Sequence, residues 1–423
     1  MKRLLAPTMV LLILVTGCGP KLTPEEEILQ ADNQYLHELL QQWYWWRDDV
    51  DLAIEPSEFT SPEALLDQVR YEELDRWSYV GNWAEFNALF SGGNYAGYGF
   101  GAKWDADGNL WIRSVYDDSP FGEAGVERGW KMLAVDGTDV QSITDFGVAF
   151  GPNEEGVSNT FLLEDLEGET HEMTLAKTTV NINAVLHRSV IEQNETKIGY
   201  LVFNTFVATA NQELDEAFAY ISSEGATELV LDLRYNGGGS VLVAEYLANY
   251  LAPSSAQGQV FSLQQHVSDR SENDVTYTIN KQGGLELSRI TILTTNSSAS
   301  ASDLIINGLR PFLDVVLIGT EATRGKPVGS YGWQRDPYVY SLIAFRMINA
   351  DGEADYFNGF EPNQTAGDGL AYAWGDPEET MLAAALQYYG TGVLGRAFIE
   401  EPAFSHTRDV PLGSRWQEEI GSW

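Results

Sequence analysis

The run Leu229–Leu233 constrains this chain most: it is short, almost continuously apolar, and empties through Arg234-Tyr235-Asn236 into three successive glycines, Gly237–Gly239, ahead of a helical pattern over Val241–Leu251. A strand buried on both faces, then a glycine turn and a helix, is the repeating unit of a parallel sheet covered by helices. The pattern recurs. Ile198–Phe203 precedes a helix at Gln212–Tyr220, and Ile290–Leu293 precedes one at Ala301–Leu309. Val315–Ile318 reads as another strand, and Glu378–Tyr389 as an amphipathic closing helix. An α/β layer with largely parallel strands is predicted from about residue 183 to 395.

Two other patterns precede it. From Thr23 to about Asn87 apolar residues recur at helical spacing, and Thr23-Pro24-Glu25-Glu26 is a helix start, so residues 18–90 are expected to form a small helical unit. The aromatic cluster Trp43–Trp46 reads as core. Between about Tyr95 and Val180 short β runs alternate with Gly, Asp and Asn turns: Gly99–Trp104, Leu110–Val115, Lys131–Val135 and His171–Leu175. Asp105-Ala106-Asp107-Gly108 resembles the start of a calcium loop but lacks its later ligands, and a hairpin turn explains it better. Tyr98-Gly99-Phe100-Gly101-Ala102, Ser119–Val126 and Leu133–Gly137 together resemble a PDZ domain over 91–182. The resemblance implies a loop, Gly99, Phe100, Gly101 and Ala102, whose amides receive a peptide's terminal carboxylate while the peptide adds a strand. After 395 the tail 396–423 carries no legible pattern.

The chain's start is read separately. Lys2 and Arg3, an apolar run of about a dozen residues and small residues up to Cys18 form a signal peptide over 1–17. Val15-Thr16-Gly17-Cys18 resembles a bacterial lipobox, which implies lipidation of Cys18, the only cysteine, and leaves no thiol for a disulfide. Gly19 rather than Asp after the cysteine points, by the habit of lipoproteins, to the outer membrane facing the periplasm. The charge of −37, from 25 Lys+Arg against 62 Asp+Glu, repels polyanions and argues against nucleic acid as a partner.

Candidate chemistry lies at two strand-to-helix junctions, where α/β sheets place their sites. Gly237–Gly239 before a helix suits an oxyanion better than a phosphate, because the Lys-Ser/Thr that completes a P-loop is missing. In Thr294–Asp303, Ser300 and Asp303 have capping-box spacing, so helix capping explains both without catalysis. Lys326, one of eight lysines, lies just beyond the next strand and makes a Ser-Lys dyad available. A serine hydroxyl needs a base, and an amine serves if its pKa falls from ~10.4 toward ~7, a cost of roughly 4–5 kcal/mol that an apolar pocket supplies. Val315–Ile318 is the expected wall of that pocket. The five histidines sit in no catalytic motif and no metal-ligand spacing occurs, so neither metal nor cofactor is expected.

Asp232-Leu233-Arg234 through Gly239, Ser298–Asp303 and Gly325-Lys326 resemble the C-terminal processing, or tail-specific, serine peptidases. Ile198-Gly199-Tyr200-Leu201, Asn204-Thr205-Phe206 and Gly359-Phe360-Glu361-Pro362 resemble that family's flanking motifs. The resemblance implies a crotonase-like layered α/β core behind a PDZ-like domain, with Ser300 as nucleophile and Lys326 as general base. It also implies an oxyanion hole from the amides of Ala301 and Gly238. Gly237 and Pro327 replace the family's Pro and Gly, and Ser330 stands where a Gln often orients the lysine. If 326–334 is extended, Gln334 shares its face, so Ser330 and Gln334 are both candidates. Implied partners are unfolded or tagged protein C-termini and, through the lipid anchor, a membrane; an adaptor or a second copy stays open. The alternatives are an inactive peptide-binding scaffold on the same fold and a membrane-tethered esterase.

Overall fold

The computed structural model describes residues 22–88, 92–395 and 408–410. Cys18 and the lipobox-like residues before it lie outside them. No helix among the described residues is long and apolar enough to cross a membrane.

The glycine junctions do deliver a parallel sheet. Thr196–Phe203, Glu228–Asp232, Arg289–Thr294, Asp314–Gly319 and the short Gln364–Thr365 lie parallel in that order, with Val185–Gln193 antiparallel at one edge. Alternate residues face opposite ways. Leu201, Phe203, Leu229, Leu231, Ile290 and Ile292 share a core with residues of helices Ala210–Ser223, Val241–Leu251 and Ala301–Leu309. Ile198, Tyr200, Val202, Val230 and Leu293 pack with residues of helix Thr380–Thr391 on the other side. Both faces are covered, which is why these runs lack polar alternation.

A second sheet was not legible in the sequence. Its spine is Tyr338–Ile348, with Val328–Arg335 along one edge and Tyr79–Asn82 and Val260–His266 along the other, and Val275–Thr278 outermost, all antiparallel. This corrects the all-helical reading of the N-terminal unit. Helix Pro24–Trp43 starts as expected, with the Thr23 hydroxyl accepting from Glu26 N–H and the Glu26 carboxylate accepting from Thr23 N–H. Beyond it Tyr44–Ser61 is irregular apart from a turn at 45–49 and a 3-10 helix at Pro56–Glu58, and after helix Pro62–Val69 the chain donates Tyr79–Asn82 to the sheet. Leu36, Leu40, Leu65 and Leu66 bury against Val328, Tyr340, Leu342 and Ile343, so this unit shares a core with the second sheet. The Trp43–Trp46 aromatics belong to that packing.

The middle unit is an antiparallel sheet in the order Phe100–Trp104, Leu110–Val115, Lys131–Val135, Ser158–Glu164, Thr170–Ala176. Asp105 closes its first hairpin, accepting from Asp107 N–H, Asn109 N–H, Asn109 Nδ2 and Trp111 Nε1, which leaves a turn rather than a cation loop. The unit begins and ends at a two-stranded neck, Asn94–Gly97 against Thr178–Asn181. Arg408–Asp409, from the tail, adds an antiparallel strand to Phe100–Trp104.

Candidate active site

The two glycine- and serine-rich junctions are laced together beneath the site. Ser298 Oγ donates to Leu233 O at 2.7 Å, Ser302 Oγ to Asn236 O at 2.9 Å, Ala299 N–H to Asn236 O at 3.1 Å, and Thr295 Oγ1 to Arg234 O. These contacts force Ser300 into φ 56°, ψ −111°, outside the regions open to L-residues at low cost. Such a conformation costs of order 1–3 kcal/mol and persists only where the surroundings over-determine it. Its result is a serine at the head of helix Ala301–Leu309, in the wall of a cleft of about 500 Å³.

Gly238 (φ +107°) packs directly beneath. A Cβ there would stand 2.6 Å from Ser300 Cβ and 2.9 Å from Ala301 N, so only glycine fits. Its amide, expected to be an oxyanion donor, instead donates to Asn236 Oδ1 at 2.9 Å, because the turn folds the Asn side chain back over it. Gly239, not Gly238, lines the cleft beside Ala301. Ala301 opens its helix, where first-turn amides have no intrahelical partner.

Lys326 and Ser330 line the same cleft as Ser300. Asp303 is the tie. Fully buried, its Oδ2 accepts the N–H of Ser300 at 2.9 Å and of Lys326 at 3.0 Å, while Oδ1 accepts the Thr323 hydroxyl at 2.6 Å. Two bonds to one oxygen hold those backbones within about 6 Å of each other. Burial raises the Asp303 pKa to about 6, although the donors from Thr323, Lys326, Ser300 and Gly325 pull it down. The lysine turn is pinned from the other side by Gly359: Phe360 N–H donates to Thr323 Oγ1, and a Cβ on Gly359 would meet Thr323 O at 1.9 Å. Asp303 thus caps its helix, as its spacing predicts, and also joins the two halves of the site.

The lysine's surroundings correct two expectations. Val315–Ile318 lies inside the parallel sheet and none of it lines the cleft, whose apolar walls include Leu304, Val328, Phe345 and Met347. Trp77, from the N-terminal unit, stands with its ring 5.8 Å from Lys326 Nζ. Gln334 is exposed near the far end of its strand and outside the cleft, whereas Ser330 is inside and accepts from Ser341 Oγ at 3.1 Å. Ser330 and Gln334 lie on the same side of the bulge at Gly329/Ser330 and keep one face; Gln334 falls outside because it stands four residues, about 13 Å, further along the strand.

Two polar clusters escaped the sequence reading. Arg234, 1% exposed, donates to Asp232, Asp368 and Glu379, Tyr200 donates to Asp232, and Tyr235 to Asp368. Arg128 of the middle unit joins them, donating to Tyr235 Oη at 3.0 Å and to the carbonyls of Gly369 and Tyr372. Burial opposes ionisation of Asp368 and Glu379, yet the guanidinium of Arg234, helped by Arg128, holds both below the usual carboxylate range. The second cluster includes a histidine: His266 is buried, with Nδ1 3.1 Å from Asp274 and Nε2 2.9 Å from the Oη of Tyr331, and it is Tyr331 that lines the cleft. The histidine is committed to those partners. Among the described residues no cluster of metal-ligating side chains occurs.

In the middle unit Gly99 (φ +83°) sits against Ser119, and Phe100, Gly101 and Ala102 are buried in the strand that the tail pairs with.

Comparison with known proteins agrees with this geometry. Residues 197–365 match the model of peptidase family S41, and residues 31–79 that of the peptidase S41 N-terminal domain. The chain is 25% identical over 323 residues to a carboxyl-terminal-processing protease of Synechocystis, covering 70% of this chain and 69% of that one. It is 24% identical over 283 residues to the carboxy-terminal processing protease of Bacillus subtilis, covering 63% of this chain and 56% of that protein. A Bacteroides fragilis protein assigned to the S41 proteases has a crystal structure that matches with a TM-score of 0.72 at 26% identity, over 85% of this chain and 97% of that one. The photosystem II D1 C-terminal processing protease shares the fold, with a TM-score of 0.52 at 18% identity, over 89% of this chain and all of that one. With both halves of its cleft inside the matched segment, the chain belongs to peptidase family S41, the C-terminal processing serine peptidases.

Proposed function

We propose that this chain is an envelope lipoprotein endopeptidase that cleaves unfolded or tagged polypeptides through a Ser-Lys dyad. The observation that carries the reading is the strained Ser300 sharing one cleft with Lys326, with Asp303 bonded to the backbone of both. The Lys326 amine takes the Ser300 proton as Oγ attacks the scissile carbonyl and returns it to the departing amine. Water then hydrolyses the acyl ester. The developing oxyanion meets the Ala301 amide, and Gly238 becomes the second donor by releasing Asn236 Oδ1. Ser330 is the group that orients the amine. The middle unit captures the substrate by strand addition, in the manner of a PDZ domain, and lipidated Cys18 places the enzyme at the outer membrane, facing the periplasm. The occupied Gly238 amide favours a second reading, a peptide-binding scaffold without turnover.

Intact-mass spectrometry of an unfolded protein incubated with a soluble form beginning at Gly19 separates the two, with Ser300→Ala in parallel. Fragments from the parent alone establish the peptidase. Equal fragmentation by Ser300→Ala removes Ser300 from the mechanism, and a folded parent that makes none is the scaffold.

A further inference from the structure

The outer edge of Phe100–Trp104 is already filled, and by this chain. Arg408 pairs with Trp104 and Asp409 with Lys103, antiparallel, so the tail runs toward the turn at Gly99. Val410 follows, 4% exposed, inside the apolar cluster that holds Phe100, Ala102, Trp104, Phe146 and Phe150. With the tail strand in place every residue of Phe100–Trp104 is buried, and its pairing satisfies edge main-chain groups that would otherwise stay open. A cleft of about 360 Å³ opens at Trp104, the end of this strand, lined also by Asp107, Gly108, Gln141 and Phe146.

We infer that this edge is a docking site for an extended polypeptide segment with an aliphatic residue at the Val410 position, and that residues 408–410 are its resident competitor. The inference rests on reading the middle unit as a peptide-capture module. It departs from that reading in one respect: the occupant is not a chain end, because 411–423 follow it, so strand pairing and the Val410 side chain suffice without a terminal carboxylate. Twelve residues, 396–407, separate the catalytic region from the docked strand. The covalent link makes the tail's binding to this edge intramolecular. A substrate must therefore displace a covalently supplied rival.

The test uses binding, so that loss of peptidase activity cannot mimic its failure. A fluorescein-labelled peptide of sequence 404–414 is titrated with the full chain from Gly19 carrying Ser300→Ala, and with the same chain also carrying Val410→Asp or Asp409→Pro. The first buries a charge in the apolar cluster, and the second removes a main-chain donor from the tail strand. Both variants are expected to bind the peptide at least tenfold more tightly than the parent, with unchanged melting of the core. Equal affinity in all three, or no saturable binding by either variant, overturns the inference.

Discussion

The two walls that meet at Ser300 and Lys326 are built differently. On the parallel-sheet side Ser300, the proposed nucleophile, stands on a junction fixed by buried hydrogen bonds and backed by a fully buried ionic network around Arg234. On the antiparallel side Lys326 and Ser330 are half-exposed, on a bulged edge segment held by Asp303 and Gly359. A nucleophile needs a fixed attack geometry, and over-determination provides it. A base that accepts and returns a proton needs only a short, adjustable reach. Damage to the first wall should therefore cost folding, and damage to the second mainly rate.

The largest contrast is between Lys326→Ala and Arg234→Met. Lys326→Ala is expected to lower kcat/KM by at least about a thousandfold, roughly 4 kcal/mol, while leaving the urea midpoint nearly unchanged. Arg234→Met leaves Asp232, Asp368 and Glu379 buried with fewer cations and is expected to destabilise by about 3–5 kcal/mol. A Lys326→Ala protein that melts early, or an Arg234→Met protein as stable as the parent, breaks the comparison.

Next is pH. The Asp303 pKa is raised, so its contribution to stability is present below its unfolded value and is lost as pH rises through about 6. Activity moves the opposite way, since the ionised carboxylate accepts from both Ser300 and Lys326. The pH–kcat profile should carry an ascending limb near 6 that Asp303→Asn abolishes, with a 10- to 100-fold loss on the plateau, on the order of 2 kcal/mol. Asp368 and Glu379 are lowered, so their stabilisation persists at neutral pH and is lost as pH falls below the usual carboxylate range.

The smallest effect sharpens the antiparallel side. Ser330→Ala should cost about tenfold in kcat/KM and Gln334→Ala less than about twofold, because only Ser330 lines the cleft. The reverse ranking would mean that Gln334 rather than Ser330 reaches Lys326.

What was legible followed from local rules. Leu229–Leu233, the glycines behind it and Ser300 at a helix start are all contiguous, and contiguous pattern reports burial and turns directly. Val241–Leu251 and Ala301–Leu309 are helices at the predicted residues. The tail illustrates the opposite. Arg408–Asp409 has no pattern of its own, because a paired edge is defined by its partner some 300 residues away.

By itself the sequence determined the parallel α/β layer, the place of Ser300 at a helix start within it and the family resemblance, since each rests on short-range periodicity, glycine turns or motif order. Only the tertiary structure decided which polar groups share a cleft. It assembled the second sheet from segments at 79–82, 260–278 and 328–348, put Trp77 beside the lysine, and left Gln334 exposed outside the cleft. It also gave Asp303 its second role and closed an edge with the chain's own tail. The physical reason is that strand pairing and buried ionic networks draw their energy from contacts between distant segments, and no local stretch carries both partners.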